Sequence, residues 1–66
     1  MKLIINGKNK EFSDSSTLHE VIAQCSANAE HVIAEINGNI IKSHQWQATN
    51  VADGDTIELV TFVGGG

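Results

Sequence analysis

An α+β fold follows from three observations in this chain of 66 residues. Two Asn-Gly pairs each sit between short apolar runs, one stretch carries apolar residues at helical spacing, and a last apolar run alternates as a strand does. Read in order, the elements are strand, strand, helix, strand, strand, loop, strand. A single helix must then cover one face of a mixed sheet of four to five strands. Residues 1–63 form one domain in this reading, and residues 64–66 a flexible glycine tail.

Asn6-Gly7 and Asn37-Gly38 suit type I′ turns, whose two central residues both need positive φ. The first pair makes residues 2 to 13 a hairpin, with Leu3 and Ile5 on one face and Phe12 as the only large apolar residue of the returning strand. The lysines and acid of that second strand are the defences of a sheet edge. Thr17 and Glu20 form a capping box, in which each side chain accepts a bond from the other's backbone N–H. Leu18, Val21, Ile22 and Cys25 follow as one apolar stripe, and Ser26-Ala27-Asn28 is a plausible end. A helix of about ten residues is too short to persist without packing on the sheet.

The stretch His31 to Lys42 is the second hairpin. Val32, Ala34 and Ile36 share one parity, and either Ile40 or Ile41 returns to meet them. Residues 43 to 55 show no sustained period. Trp46 is the one large apolar group there, so it pins the loop, with room for one short helical turn. Asp53-Gly54-Asp55 is a tight turn, and Thr56 to Val63 is the last strand. Its parities separate Ile57, Leu59 and Thr61 from Glu58, Val60 and Phe62. If the first set meets the helix, Val60 and Phe62 lie on a sheet face with no second layer, a candidate docking surface.

Composition narrows the function. The formal net charge is −4, from eight acids against four lysines. Nucleic acid is an unsuitable partner, because phosphate binding needs clustered cations and Lys2, Lys8 and Lys10 are followed at once by Glu11 and Asp14. No apolar run approaches the roughly 20 residues of a membrane helix. A single thiol, Cys25, and no export signal fit a cytoplasmic location. Cys25 reads as a small core residue. His19, His31 and His44 match no familiar ligand spacing, so no metal site is expected. Asp53 and Asp55 read as turn formers and Ser13 to Ser16 as the helix start, so no catalytic group is assigned.

The chain closes on F-V-G-G-G, Phe62 to Gly66. Three glycines add nothing to a strand. They are either a loose end or a thin arm that carries its carboxylate into a narrow channel. M-K-L-I-I-N-G-K at the start, D-G-D-T-I-E-L before the last strand and the terminal F-V-G-G-G together resemble the ThiS family of sulfur carriers. The resemblance spans the whole chain. Its wider relatives include the small subunit of molybdopterin synthase and, more remotely, ubiquitin.

That resemblance implies a β-grasp (ubiquitin-like) fold with the last strand beside the first. It also implies a role as a protein co-substrate, not an enzyme. Gly66 is the residue whose carboxylate is adenylated and loaded with sulfur as a thiocarboxylate, with Gly64 and Gly65 as the arm. Val60 and Phe62 are the docking contacts, expected from parity and resemblance alike. The implied partners are a ThiF-like adenylating enzyme using ATP and Mg²⁺, a sulfur donor such as a cysteine desulfurase, and thiazole synthase. No cofactor is expected to be bound by the chain. A molybdopterin-type carrier and a ubiquitin-like protein modifier are the alternatives, and an inert interaction module is a third class.

Overall fold

Both Asn-Gly pairs turn the chain as their chemistry requires. Asn6 and Asn37 have φ of 50° and 51°, followed by Gly7 and Gly38 at 81° and 88°. In the computed structural model, which describes residues 1–25 and 29–62, each pair joins two antiparallel strands. The first hairpin is β1 (Lys2–Ile5) with β2 (Lys8–Glu11), and the second is β3 (Val32–Ile36) with β4 (Asn39–Ile41). Phe12 lies just beyond β2, where its N–H donates to the Met1 carbonyl and its half-buried ring packs against the core.

The last strand, β5 (Thr56–Thr61), inserts between the hairpins, giving the order β2-β1-β5-β3-β4. It runs parallel to β1, pairing Ile4 with Thr56 and Ile5 with Ile57, and antiparallel to β3 from Val32–Thr61 to Ile36–Ile57. This is the mixed five-stranded sheet of a β-grasp fold, with β5 beside β1 at its centre. Val63, expected to end the strand, and Gly64 to Gly66 lie outside the described residues.

One helix, α1 (Leu18–Cys25), covers one face. The capping box forms reciprocally: the Thr17 N–H donates to Glu20 Oε1 at 2.8 Å, and the Glu20 N–H to Thr17 Oγ1 at 3.2 Å. Leu18, Val21 and Ile22 are fully buried against Leu3, Ile5, Ala34 and Ile57, while Cys25 is half-buried at the rim. Residues 26–28, expected to end the helix, are not among those described. Ile41, not Ile40, is the residue that returns to the core side, since it stands opposite Ala34.

The loop after β4 holds a 3-10 helix, Ser43–Ala48, a longer feature than the single turn expected. Trp46 is buried there, and its indole N–H donates to the Ile41 carbonyl at 2.9 Å. The same loop is stitched to the start of α1, where the Leu18 N–H donates to the Thr49 carbonyl and the Val51 N–H to that of Ser16. Asp53 and Asp55 serve the tight turn as expected. Asp55 Oδ2 accepts from the Ala52 N–H at 2.8 Å, and Asp53 Oδ1 from the Lys2 N–H at 2.7 Å.

Candidate functional site

Strand parity decides what each side of β5 offers. Ile57 faces α1 and is fully buried, and Leu59 on the same side is half-buried. The alternate residues face away from α1, where the described residues form no second layer. Val60 is 53% exposed there, and Phe62, just past the strand, is 42% exposed. Their expected facing is therefore observed.

Two residues join them that the sequence reading did not select. Ile33 stands directly opposite Val60 across the β3–β5 ladder and is 43% exposed, while Ile40 on β4 is 65% exposed. The signal was present in parity. Ile33 alternates with Val32 and Ala34, so burying those two leaves Ile33 on the outer side. Four large apolar side chains thus gather on one open face around the outgoing half of β5. A groove of about 450 Å³ borders them where β3 and β4 meet the end of β5, and Trp46 forms part of its lining.

Charge is patterned on the same face. Glu35 of β3 and Glu58 of β5 stand opposite one another, one residue pair removed from Ala34–Leu59. Like charges at directly opposed positions repel. Neither carboxylate has an ion-pair partner among the described residues, whose ion pairs are those of the Met1 amine with Glu11 and Asp14. The face therefore combines apolar contact area with negative charge that no ion pair among the described residues compensates.

Phe62 is steadied from one side. Its N–H donates to the His31 carbonyl at 2.8 Å, and its ring meets the His31 ring at a centroid distance of 5.6 Å and a tilt of 50°. The backbone is thus still held at residue 62, after the regular strand has ended. Among the described residues, no group of three or more His, Cys, Asp or Glu side chains could hold a metal ion. No helix of those residues is long and apolar enough to cross a membrane.

A model of the ThiS family matches residues 3–66, the glycines included. The sulfur carrier protein ThiS of Bacillus subtilis is 35% identical over 65 residues, which are 97% of this chain and 98% of that one. A thiazole synthase of Paramagnetospirillum magneticum is 36% identical over 66 residues. Those residues are all of this chain but 20% of that protein, so the likeness is to one part of a much longer polypeptide. The crystal structure of the thiamine biosynthesis protein ThiS from Geobacter metallireducens aligns with a TM-score of 0.85 and 38% identity over the full length of both chains. With a family model matching through the last glycine and relatives and architecture in agreement, the chain belongs to the ThiS family of thiamine-biosynthesis sulfur carriers.

Proposed function

We propose that the chain is a sulfur-carrying co-substrate whose reacting group is the carboxylate of Gly66. A partner adenylating enzyme of the ThiF type binds the open face, with Val60 and Phe62 at the centre of the contact. A carboxylate oxygen of Gly66 bonds to the α-phosphorus of ATP, and pyrophosphate leaves. A sulfur nucleophile at the oxidation level of sulfide then attacks the acyl carbon. AMP departs with the electrons of the acyl–oxygen bond, leaving a thiocarboxylate. Adenylation is needed because a carboxylate oxygen is a poor leaving group and AMP is a good one.

The observation that carries this reading is the placement of β5. A central strand presents exposed Val60 and then Phe62, and the sequence continues through Val63 into Gly64, Gly65 and Gly66. An apolar anchor followed by residues without side chains suits docking on a surface and threading into a narrow channel. The partner supplies Mg²⁺ and cations for the triphosphate, which an acidic chain with four lysines does not. The sulfur comes from a cysteine desulfurase or a related donor that holds it as a persulfide, and a thiol, oxidised to a disulfide, supplies the two electrons that bring it to the sulfide level.

Thiazole synthase receives the sulfur in this proposal. Support comes from the Paramagnetospirillum magneticum thiazole synthase, which contains a region like this whole chain. A carrier region and a synthase within one polypeptide fit two proteins that must meet. The destination distinguishes this reading from a molybdopterin-type carrier.

Intact mass provides the test. Incubation with ATP, Mg²⁺, a sulfur donor and the cognate adenylating enzyme should exchange one oxygen of the chain for one sulfur. Deleting Gly66 should abolish that change while leaving the circular-dichroism spectrum intact. Conjugates with other proteins would point to a modifier instead, and an unchanged wild-type mass under active conditions would sink the carrier reading.

A further inference from the structure

The two turn asparagines do more than turn the chain, and they do it at different points along β5. Asn37 holds the incoming end. Its Oδ1 accepts from the Thr56 N–H at 3.0 Å, and its own N–H donates to the Thr56 carbonyl at 2.8 Å. Asn6 holds the middle. Its N–H donates to the Ile57 carbonyl at 2.9 Å, its Oδ1 accepts from the Leu59 N–H at 2.8 Å, and its Nδ2 donates to the Leu59 carbonyl at 3.2 Å.

The second arrangement replaces a strand. The β1–β5 ladder ends at Ile5–Ile57, because β1 turns away at Asn6-Gly7 while β5 runs on. Leu59 directs its N–H and carbonyl toward the side that β1 has vacated. The Asn6 carboxamide, with one donor and one acceptor, satisfies both, as a further residue of β1 would have done. On its other side the outgoing half is paired with β3, through Ile33–Val60 and Val32–Thr61.

We propose that Asn6 is a positioning residue for carrier docking: its carboxamide completes the sheet at Leu59 and so presents Val60 and Phe62 as a preformed patch. This rests on the reading that the adenylating partner binds that face. Val60 follows Leu59 immediately, and Phe62 lies three residues beyond it. Without the carboxamide, Leu59 exchanges two hydrogen bonds inside the protein for bonds to water, and β5 beyond Ile57 is held from one side only. The docking-competent arrangement is then a fraction of the ensemble, and the apparent dissociation constant rises by the reciprocal of that fraction. The acyl chemistry, on Gly66 inside the partner, is unaffected once the complex has formed.

Asn37 supplies a matched control, since it occupies an equivalent turn position at nearly the same φ and bonds β5 at Thr56, four residues before Val60. Asn6→Gly and Asn37→Gly both retain a turn that tolerates positive φ, and each removes one side-chain clamp. The experiment measures adenylation kinetics with the carrier as varied substrate, at a temperature where thermal melts show every variant folded. Asn6→Gly should raise KM for the carrier by about 3- to 10-fold with kcat unchanged, while Asn37→Gly leaves KM within about twofold of the wild type. Asn6→Asp, which keeps the acceptor for the Leu59 N–H and loses the donor, should fall between, and it decides the matter if Asn6→Gly does not fold. Amide hydrogen exchange reads the clamp without the partner: the Leu59 amide should exchange faster in Asn6→Gly and unchanged in Asn37→Gly.

Equal KM effects in the two glycine variants, or none in either, would overturn the proposal, as would an unaltered Leu59 exchange rate. A wild-type chain that is not adenylated at all would instead remove the carrier reading. The exchange measurement would still decide whether Asn6 holds Leu59.

Discussion

Phe62 separates binding from stability within a single side chain. It is 42% exposed and its described ring contact is with His31. Replacing it by glutamate should therefore lower folding stability by about 1–2 kcal/mol, from the aromatic pair and the partly buried ring area together. A buried aromatic anchor at an interface centre contributes about 2 kcal/mol or more, so Phe62→Glu should weaken partner binding by about 30-fold or more. Calorimetric titration and a thermal melt of the same variant give both numbers, and unfolding of the variant would invert the facing assigned to β5. The Met1 amine makes a different kind of residue-scale prediction. It donates to Asp14 Oδ1 at 2.9 Å and to the Phe12 carbonyl at 2.6 Å. Its pKa is raised above the ordinary 8.0, chiefly by the Asp14 hydrogen bond, with the charges of Asp14, Glu11 and Asp53 adding to it and desolvation opposing. A group whose folded pKa is raised stabilises fully below its unfolded pKa and loses that contribution as pH rises through the folded value. Melting temperature should thus decline above about pH 8, and Asp14→Asn should flatten the decline. Of these residues, sequence parity located Phe62 correctly. The amine contact was not legible, because it depends on where the chain passes after β2.

The helix and the last strand differ in how far each could be read locally. α1 carries its own instructions: Thr17 and Glu20 three residues apart, then a stripe of Leu18, Val21 and Ile22 that is fully buried. Thr17→Ala removes the side-chain oxygen that accepts from the Glu20 N–H and should cost about 1 kcal/mol. In a domain of this size that lowers the melting temperature by about 4–8 °C, with loading at a temperature well below the melt unchanged. A loss of loading without a loss of stability would show that the helix start touches the partner. β5 is different, since its neighbours come from both ends of the sequence. Alternation gave its faces, and the family resemblance gave its place beside β1. The carboxamide of Asn6 bonding Leu59 left no local trace, because Asn-Gly is already explained by the turn. The outward Ile33 was legible in principle, since burying Val32 and Ala34 turns it out, whereas Ile40 follows only from the β3–β4 register that sets it opposite Glu35.

At the scale of the whole molecule, charge and apolar surface point to the same kind of partner. The chain carries a net charge of −4, and its open face sets Glu35 opposite Glu58 among exposed Ile33, Ile40, Val60 and Phe62. A surface able to bind here must offer apolar contacts ringed by cations, which an enzyme handling ATP also requires near its nucleotide. Long-range attraction of this kind speeds encounter and is screened by salt, whereas apolar contact is not. Raising ionic strength from about 0.01 M to about 0.15 M shortens the screening length from about 30 Å to about 8 Å. The association rate with the proposed adenylating partner should fall by about tenfold or more over that range, and the dissociation rate should change little. Stopped-flow measurement of both rates provides the check. Glu35→Gln with Glu58→Gln should lower the low-salt association rate and reduce its salt dependence, without the loss of contact area that Phe62→Glu produces. A salt-independent association rate would mean that the partner meets this face through apolar contact alone, leaving the opposed glutamates outside the interface.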